Sequence, residues 1–130
     1  MTNFQHTEIT ERIINCYYKV YNKLGYGFLE KVYEKSLSIE LISSGLRILN
    51  QYPIKVFYNK VQVGEYYADI LVNENIILEI KATSELIEVH EAQLLNYLKA
   101  TNIEIGLLLN FGPKPEVKRK YYSNEKKNLF

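Results

Sequence analysis

The residues of this chain best placed to do chemistry are carboxylates and an amine set into two apolar segments. Asp69 precedes Ile70-Leu71-Val72, and Glu79 and Lys81 interrupt Ile76-Ile77-Leu78-Glu79-Ile80-Lys81. The intervening Asn73-Glu74-Asn75 reads as a hairpin loop in which Asn75 takes the positive φ that such a loop requires. Pairing Val72 with Ile76 carries the register back to Asp69 opposite Glu79, with Cβ atoms about 4.5–5.5 Å apart on a shared face. Lys81 joins that face by the period of two. Two carboxylates at this separation repel unless one is protonated or a cation lies between them. Hard oxygen ligands suit Mg²⁺ or Mn²⁺, which keep several waters and bind through one or two carboxylates plus substrate phosphates. The alternative is a structural Asp69–Lys81 or Glu79–Lys81 ion pair near a strand end, since charges in so apolar a strand must be paired or liganded.

Three further positions join this list. Gly27, Glu30, Tyr33, Glu34 and Leu37 share one helical face, which makes Glu30 a third acid on a surface expected to pack on the sheet, with Gly27 permitting close backbone approach. Glu30 could equally reach out to solvent or cap the turn at Gly27. Gln93 and Tyr97 are i, i+4 partners bordered by leucines, able to satisfy one another or to reach a shared polar site. His90, one turn earlier, reads as a solvated surface histidine rather than a ligand.

The elements that must position these groups follow from hydrophobic spacing. Ile9, Ile13, Cys16, Tyr17, Val20, Tyr21 and Leu24 predict a helix over 8–24 with Thr7 as its N-cap. Leu29, Val32, Tyr33, Leu37 and Leu41 predict a second over 28–44, ended by Gly45. The period then changes to two, giving strands over 47–58, 61–72 and 76–82, the first two joined by a tight turn at Asn59-Lys60. A helix over 85–100 and a buried strand over 105–109 complete an α-α-β-β-β-α-β order. This is an α/β layout with a mixed β-sheet flanked by helices, in which the last strand runs parallel to a neighbour because a helical crossover feeds it.

The chain has 130 residues, 47% of them hydrophobic and 24% charged, which fits one globular domain and excludes collagen-like, low-complexity and wholly disordered classes. A domain of this size needs no metal or disulfide to fold, so a metal would be functional. Cys16 is alone and cannot form an intramolecular disulfide, and every apolar run is interrupted well short of the ~20 residues that span a bilayer. A cytoplasmic protein with no membrane association is expected. The net charge of +1 is too balanced to imply a polyanionic partner by itself. Gly112, Pro113 and Pro115 divide the chain into a single domain over 1–112 and a basic tail over 113–130, packed on that domain or extending from it. The tail holds Lys114, Lys118, Arg119, Lys120, Lys126 and Lys127 against Glu116 and Glu125, a net +4. It reads as a frayed, solvated terminus or as a substrate contact.

Gly27-Phe28-Leu29-Glu30-Lys31-Val32-Tyr33 resembles the signature of the GxxExxY family of small bacterial proteins, placed in the PD-(D/E)XK nuclease superfamily. Asp69, Glu79-Ile80-Lys81 and Gln93-Leu94-Leu95-Asn96-Tyr97 follow in that family's order, and the resemblance spans about Ile9 to Gly112. The Gln-x-x-x-Tyr element also looks like that of the RecB-like exonuclease branch. One departure is Ala68 where the superfamily name has proline. The resemblance implies a restriction-endonuclease-like core and metal-dependent phosphodiester hydrolysis, of DNA more than RNA. It implies that Asp69 and Glu79 hold Mg²⁺ or Mn²⁺, with the Ile80 carbonyl and Glu30 as further ligands, directly or through water. It implies that Lys81 orients or helps deprotonate the attacking water, and that Gln93 and Tyr97 position the substrate backbone or Lys81. A nuclease this small gripping a duplex suggests a homodimer. A catalytically silent nucleic-acid-binding or protein-interaction module with the same fold is the alternative.

Overall fold

The computed structural model describes residues 4–128. Helices α1 (Phe4–Leu24) and α2 (Glu30–Ser43) are followed by strands β1 (Ile48–Tyr58), β2 (Val61–Val72) and β3 (Ile76–Lys81). Helix α3 (Glu88–Lys99), strands β4 (Ile105–Phe111) and β5 (Pro115–Tyr121) and a 3₁₀ turn over Asn124–Lys126 complete the chain. The five strands form one sheet in sequence order. β3 and β4 are parallel, as the α3 crossover requires, and the other neighbours are antiparallel.

Alternation of side chains divides the sheet into two packed faces. Ile70, Val72, Ile76, Leu78, Ile105, Leu107 and Leu109 face α1 and α2, where Ile13, Tyr17, Tyr33, Leu37 and Leu41 meet them. Leu71, Ile77 and Leu108 face α3 through Leu94 and Leu98. Each fully buried aliphatic side chain contributes about 1.5–3 kcal/mol, so β3 and β4, covered on both sides, anchor the domain. At Gly106 an added Cβ would lie 2.6 Å from Leu94 Cδ1, which shows how closely α3 approaches β4.

The turns hold α2 in place against the sheet. Gly45 has φ +87°; its N–H donates to Ile42 O (2.9 Å) and the Leu46 N–H to Leu41 O (3.1 Å), the paired bonds of a Schellman cap. At the other end Tyr33 Oη donates to Gly25 O (2.7 Å) and accepts from the Phe28 N–H (3.2 Å), while its ring stacks 4.3 Å from Phe111. Gly27 serves through its φ of +113° rather than through close approach: no atom lies within 4 Å of where its Cβ would be. Buried Cys16 packs between α1 and α2, its Sγ 3.6 Å from Glu40 O.

Three expectations need correction. Thr7 lies inside α1, which already runs from Phe4, so it is not the N-cap. In the β2–β3 loop the positive φ angles fall on Asn73 (+50°) and Glu74 (+62°), not on Asn75. The Asn75 N–H closes on Val72 O at 2.9 Å, the pattern of a type I′ turn, which demands positive φ at both central residues. Finally, the basic segment supplies a strand: β5 pairs with β4 from Phe111–Pro115 to Ile105–Tyr121. Its lysines and proline mark a sheet edge. Lys118 and Lys120 reach Glu91 on α3 at 3.2 and 2.6 Å, so two of the segment's six cations share one carboxylate of the same molecule.

Candidate active site

The hairpin β2–β3 is regularly paired only at its turn end, where Val72, Leu71 and Ile70 face Ile76, Ile77 and Leu78. The next position in this register sets Asp69 opposite Glu79, and there the ladder stops. The Ile80 N–H donates to Asp69 Oδ2 (2.7 Å) and the Asp69 N–H donates to Glu79 Oε2 (2.8 Å). Two carboxylates have taken the place of backbone acceptors, and the strands splay into a fork around them. Asp69 is half-buried and Glu79 is 5% exposed.

The other side of β2 explains why the strand can leave its partner. β1 and β2 pair at Asn50–Ile70 and Tyr52–Ala68, and Gln51 between them has φ +53°. This left-handed residue turns the hairpin over: Asn50 and Ile70 belong to the α2 side, whereas Ile54, Ala68 and Tyr52 pack with α3. The fork therefore opens between the two helical layers, within reach of both.

From the α2 layer comes Glu34, 6% exposed. It accepts from Lys31 Nζ (3.1 Å), Asn50 Nδ2 (3.0 Å) and Gln51 Nε2 (3.0 Å), and Gln51 Nε2 also stands 3.5 Å from Asp69 Oδ1. Glu30, at the first position of α2, is exposed rather than packed on the sheet, because the buried face of the helix runs through Tyr33, Glu34, Leu37 and Leu41. From the α3 layer comes Tyr97, 6% exposed, whose Oη accepts from Gln93 Nε2 at 3.1 Å. His90 is absorbed in helix capping, its Nδ1 accepting the Ile87 N–H at 3.2 Å.

Electrostatics ties these groups together. Burial pushes the Glu79 carboxyl up to about 8, with the charge of Asp69 the next cause, Lys81 partly offsetting both and Glu30 adding to the rise. Asp69 is raised by burial and then by the charges of Glu34 and Glu30, against the lowering by the Ile80 N–H and Gln51. Tyr97 is pushed up to about 12 by burial and by the charges of Glu79 and Asp69. The phenol, both acids and Glu30 thus share one field. Lys81 is half-buried at the end of β3 and forms no ion pair among the described residues. It acts on Glu79 through space, not as the contact partner that a structural ion pair would need.

The family model of the PD-(D/E)XK nuclease superfamily matches residues 7–120, from α1 into β5. The chain belongs to the PD-(D/E)XK nuclease superfamily. The match runs through every element that builds the fork, and the mixed sheet flanked by helices is a restriction-endonuclease-like core. Among solved structures the crystal structure of SSO0001 is similar, with a TM-score of 0.56 at 20% identity over 72% of this chain, a likeness of fold. The matched region covers 50% of that protein's chain. No curated protein matches.

Sequence reading of this PD-(D/E)XK chain selected Glu30, Asp69, Glu79, Lys81, Gln93 and Tyr97; the fold brings the last five to the same fork or its rim and leaves Glu30 exposed at the start of α2. Ile80 contributes its N–H to Asp69 while its side chain lies in the core. Glu34, Asn50 and Gln51 were missed. Glu34 lies on the same helical stripe as Glu30, and spacing alone does not say which turn meets the sheet; nothing in the sequence marks the left-handed backbone at Gln51.

The acids can be tested against the divalent ion that the superfamily typically uses. Asp69 and Glu79 each spend one oxygen on a backbone N–H, and their proton affinity is raised first by burial and then by neighbouring negative charge, a penalty on the ionised acids that a cation would offset. No group of three histidine, cysteine or acidic side chains poised for a metal occurs among the described residues. Two carboxylates from facing strands are a donor set that fits a hard, partly hydrated cation. No helix among the described residues is long and apolar enough to cross a membrane.

Proposed function

We propose that this chain is a metal-dependent nuclease that hydrolyses phosphodiester bonds in DNA, with Asp69 and Glu79 as the ligands of Mg²⁺ or Mn²⁺. The observation that carries this reading is the fork: a half-buried and a buried carboxylate cross-linked to each other's strands, with raised proton affinity and with a lysine, Lys81, that has no ion-pair partner among the described residues. A divalent ion bound there would supply Lewis-acid charge at the phosphate and lower the pKa of a water. The Ile80 carbonyl and Glu30 are proposed to complete its surroundings, Glu30 from its exposed position through water. Glu34 acts through Gln51, holding Asp69 in orientation as outer partners of metal ligands do.

Lys81 carries the proton chemistry and opposes the charge that develops on the phosphoryl oxygens. Gln93 fixes the Tyr97 hydroxyl, and the two face the substrate backbone as in the RecB-like branch. Tyr97 remains protonated near neutral pH and serves as a hydrogen-bond donor rather than a base. Together with Gly27, Glu30 and Tyr33, whose turn presents α2, these features support membership of the GxxExxY family. A homodimer is part of the same proposal.

The test is cleavage of single- and double-stranded DNA in Mg²⁺ and Mn²⁺ by the wild type, Asp69→Asn, Glu79→Gln and Lys81→Ala. Cleavage that EDTA and each substitution abolish is expected. Wild-type protein that cuts no substrate with either ion, yet binds DNA in a salt-sensitive and chelator-independent way, is the result of a catalytically silent binding module.

A further inference from the structure

A groove of about 630 Å³ lies between α3 and the outer part of the β1–β2 hairpin, and it shares Gln93 and Tyr97 with the fork. Its walls are apolar and aromatic, from Val56, Tyr66, Val89, Ala92 and Tyr97. The rings of Tyr66 and Tyr97 stand 5.9 Å apart at 41°, and Tyr66 is 50% exposed. Amide and imidazole groups are set into this lining through Gln93, Asn96 and His90, and Lys99 supplies a cation. His90 accepts the Ile87 N–H at Nδ1, so its other ring nitrogen carries the proton and is a donor.

We infer that this groove receives an unpaired nucleobase of the DNA strand whose phosphate lies at Asp69 and Glu79, so that the enzyme acts on single-stranded or locally opened DNA. The inference rests on the hydrolytic reading above and adds the form of the substrate. Three features support it. A flat aromatic surface with a few edge donors and acceptors is what a base requires, and stacking on it tolerates any sequence. The volume falls within the roughly 300–1,000 Å³ usual for sites that enclose a small ligand. Continuity also matters: Tyr97 senses the charges of both acids and at the same time forms a wall of the groove, so one nucleotide can span the two. A base within a duplex is stacked between neighbours and would have to be extruded first, at a cost of a few kcal/mol.

The experiment is fluorescence anisotropy in EDTA, which prevents cleavage, using a labelled short single-stranded DNA, its duplex, and the same strand carrying one abasic position at each place in turn. Wild type is expected to prefer the single strand over the duplex. Tyr66→Ala should weaken single-strand binding about ten-fold, the scale of one lost base stack. One abasic position should make wild type and Tyr66→Ala bind alike. Ala92→Phe, which fills the groove from an exposed helical position, should weaken binding as well and guards against a misfolded Tyr66 variant. Equal affinity for duplex and single strand, or binding by both variants within two-fold of wild type, would overturn the proposal. Failure of the hydrolytic reading shows separately, as absent Mg²⁺-dependent cleavage with Tyr66-dependent binding intact.

Discussion

The two ends of the β2–β3 hairpin use the same register for opposite purposes. At the turn end Ile70, Leu71 and Val72 face Leu78, Ile77 and Ile76 in a regular antiparallel ladder, all but fully buried. At the open end Glu79 accepts the Asp69 N–H and Asp69 accepts the Ile80 N–H, and two acids sit where the adjacent residues of β3 are aliphatic. The first end holds the fold. The second carries two acids that cannot both be ionised without penalty, which a proton on Glu79 or a bound cation would relieve. A sheet can carry such a site because only one end of the hairpin departs from regular pairing, and β4 continues to support β3 through Lys81–Asn110.

Substitutions that separate the two ends should differ in sign. Leu78→Ala, in the paired half, should cost about 2–5 kcal/mol in chemical denaturation. Asp69→Asn and Glu79→Gln keep the oxygen that accepts the backbone N–H but remove the repulsion, so metal-free stability should hold or rise while cleavage is lost. A stability loss in both acid variants comparable with that of Leu78→Ala would erase the distinction.

The second contrast is in pH. The Glu79 pKa in the folded protein is raised to about 8 from an ordinary 4.5, so the folded state binds the extra proton between those values. Stability contributed by this group is full below about 4.5 and is lost as pH rises through about 8. Metal-free wild type should therefore lose stability over that window, Glu79→Gln should lose less, and Mg²⁺ should restore stability at the alkaline end. Thermal melts with and without Mg²⁺ at several pH values read all three.

Smaller effects sharpen the boundary of the fork. Glu34→Gln turns an acceptor of three donors into a group with a competing N–H, and should cost about 1–2 kcal/mol with roughly a ten-fold fall in cleavage at unchanged DNA affinity. Lys120→Ala removes a surface contact with Glu91 and should change stability by less than about 1 kcal/mol, with less effect at high salt.

Much of this was legible because hairpins count. Once the turn between Val72 and Ile76 is placed, a period of two delivers Asp69 to Glu79 with no further information. The i, i+4 rule likewise delivers Gln93 to Tyr97, and the crossover rule delivers a parallel β4. The illegible parts are those where a residue departs from its local preference. Asn73 and Glu74 share the positive φ expected at Asn75, because the closing bond from Asn75 to Val72 selects a type I′ turn. Gln51 is left-handed under tertiary constraint, which turns over the β1–β2 hairpin. Helical spacing placed Glu30 and Glu34 on one stripe, yet burial reached only the second. β5 has the lysines and proline of an edge, and composition makes an edge strand look like a tail.

The claim on which the rest depends is that Asp69 and Glu79 share a divalent cation. Anomalous diffraction from Mn²⁺-soaked crystals tests it most directly. A manganese peak bridging the two carboxylates in wild type, and absent from Asp69→Asn, is the expected result. Crystals saturated with Mn²⁺ that show no peak there, with Asp69 still on the Ile80 N–H and Glu79 still on the Asp69 N–H, would contradict it.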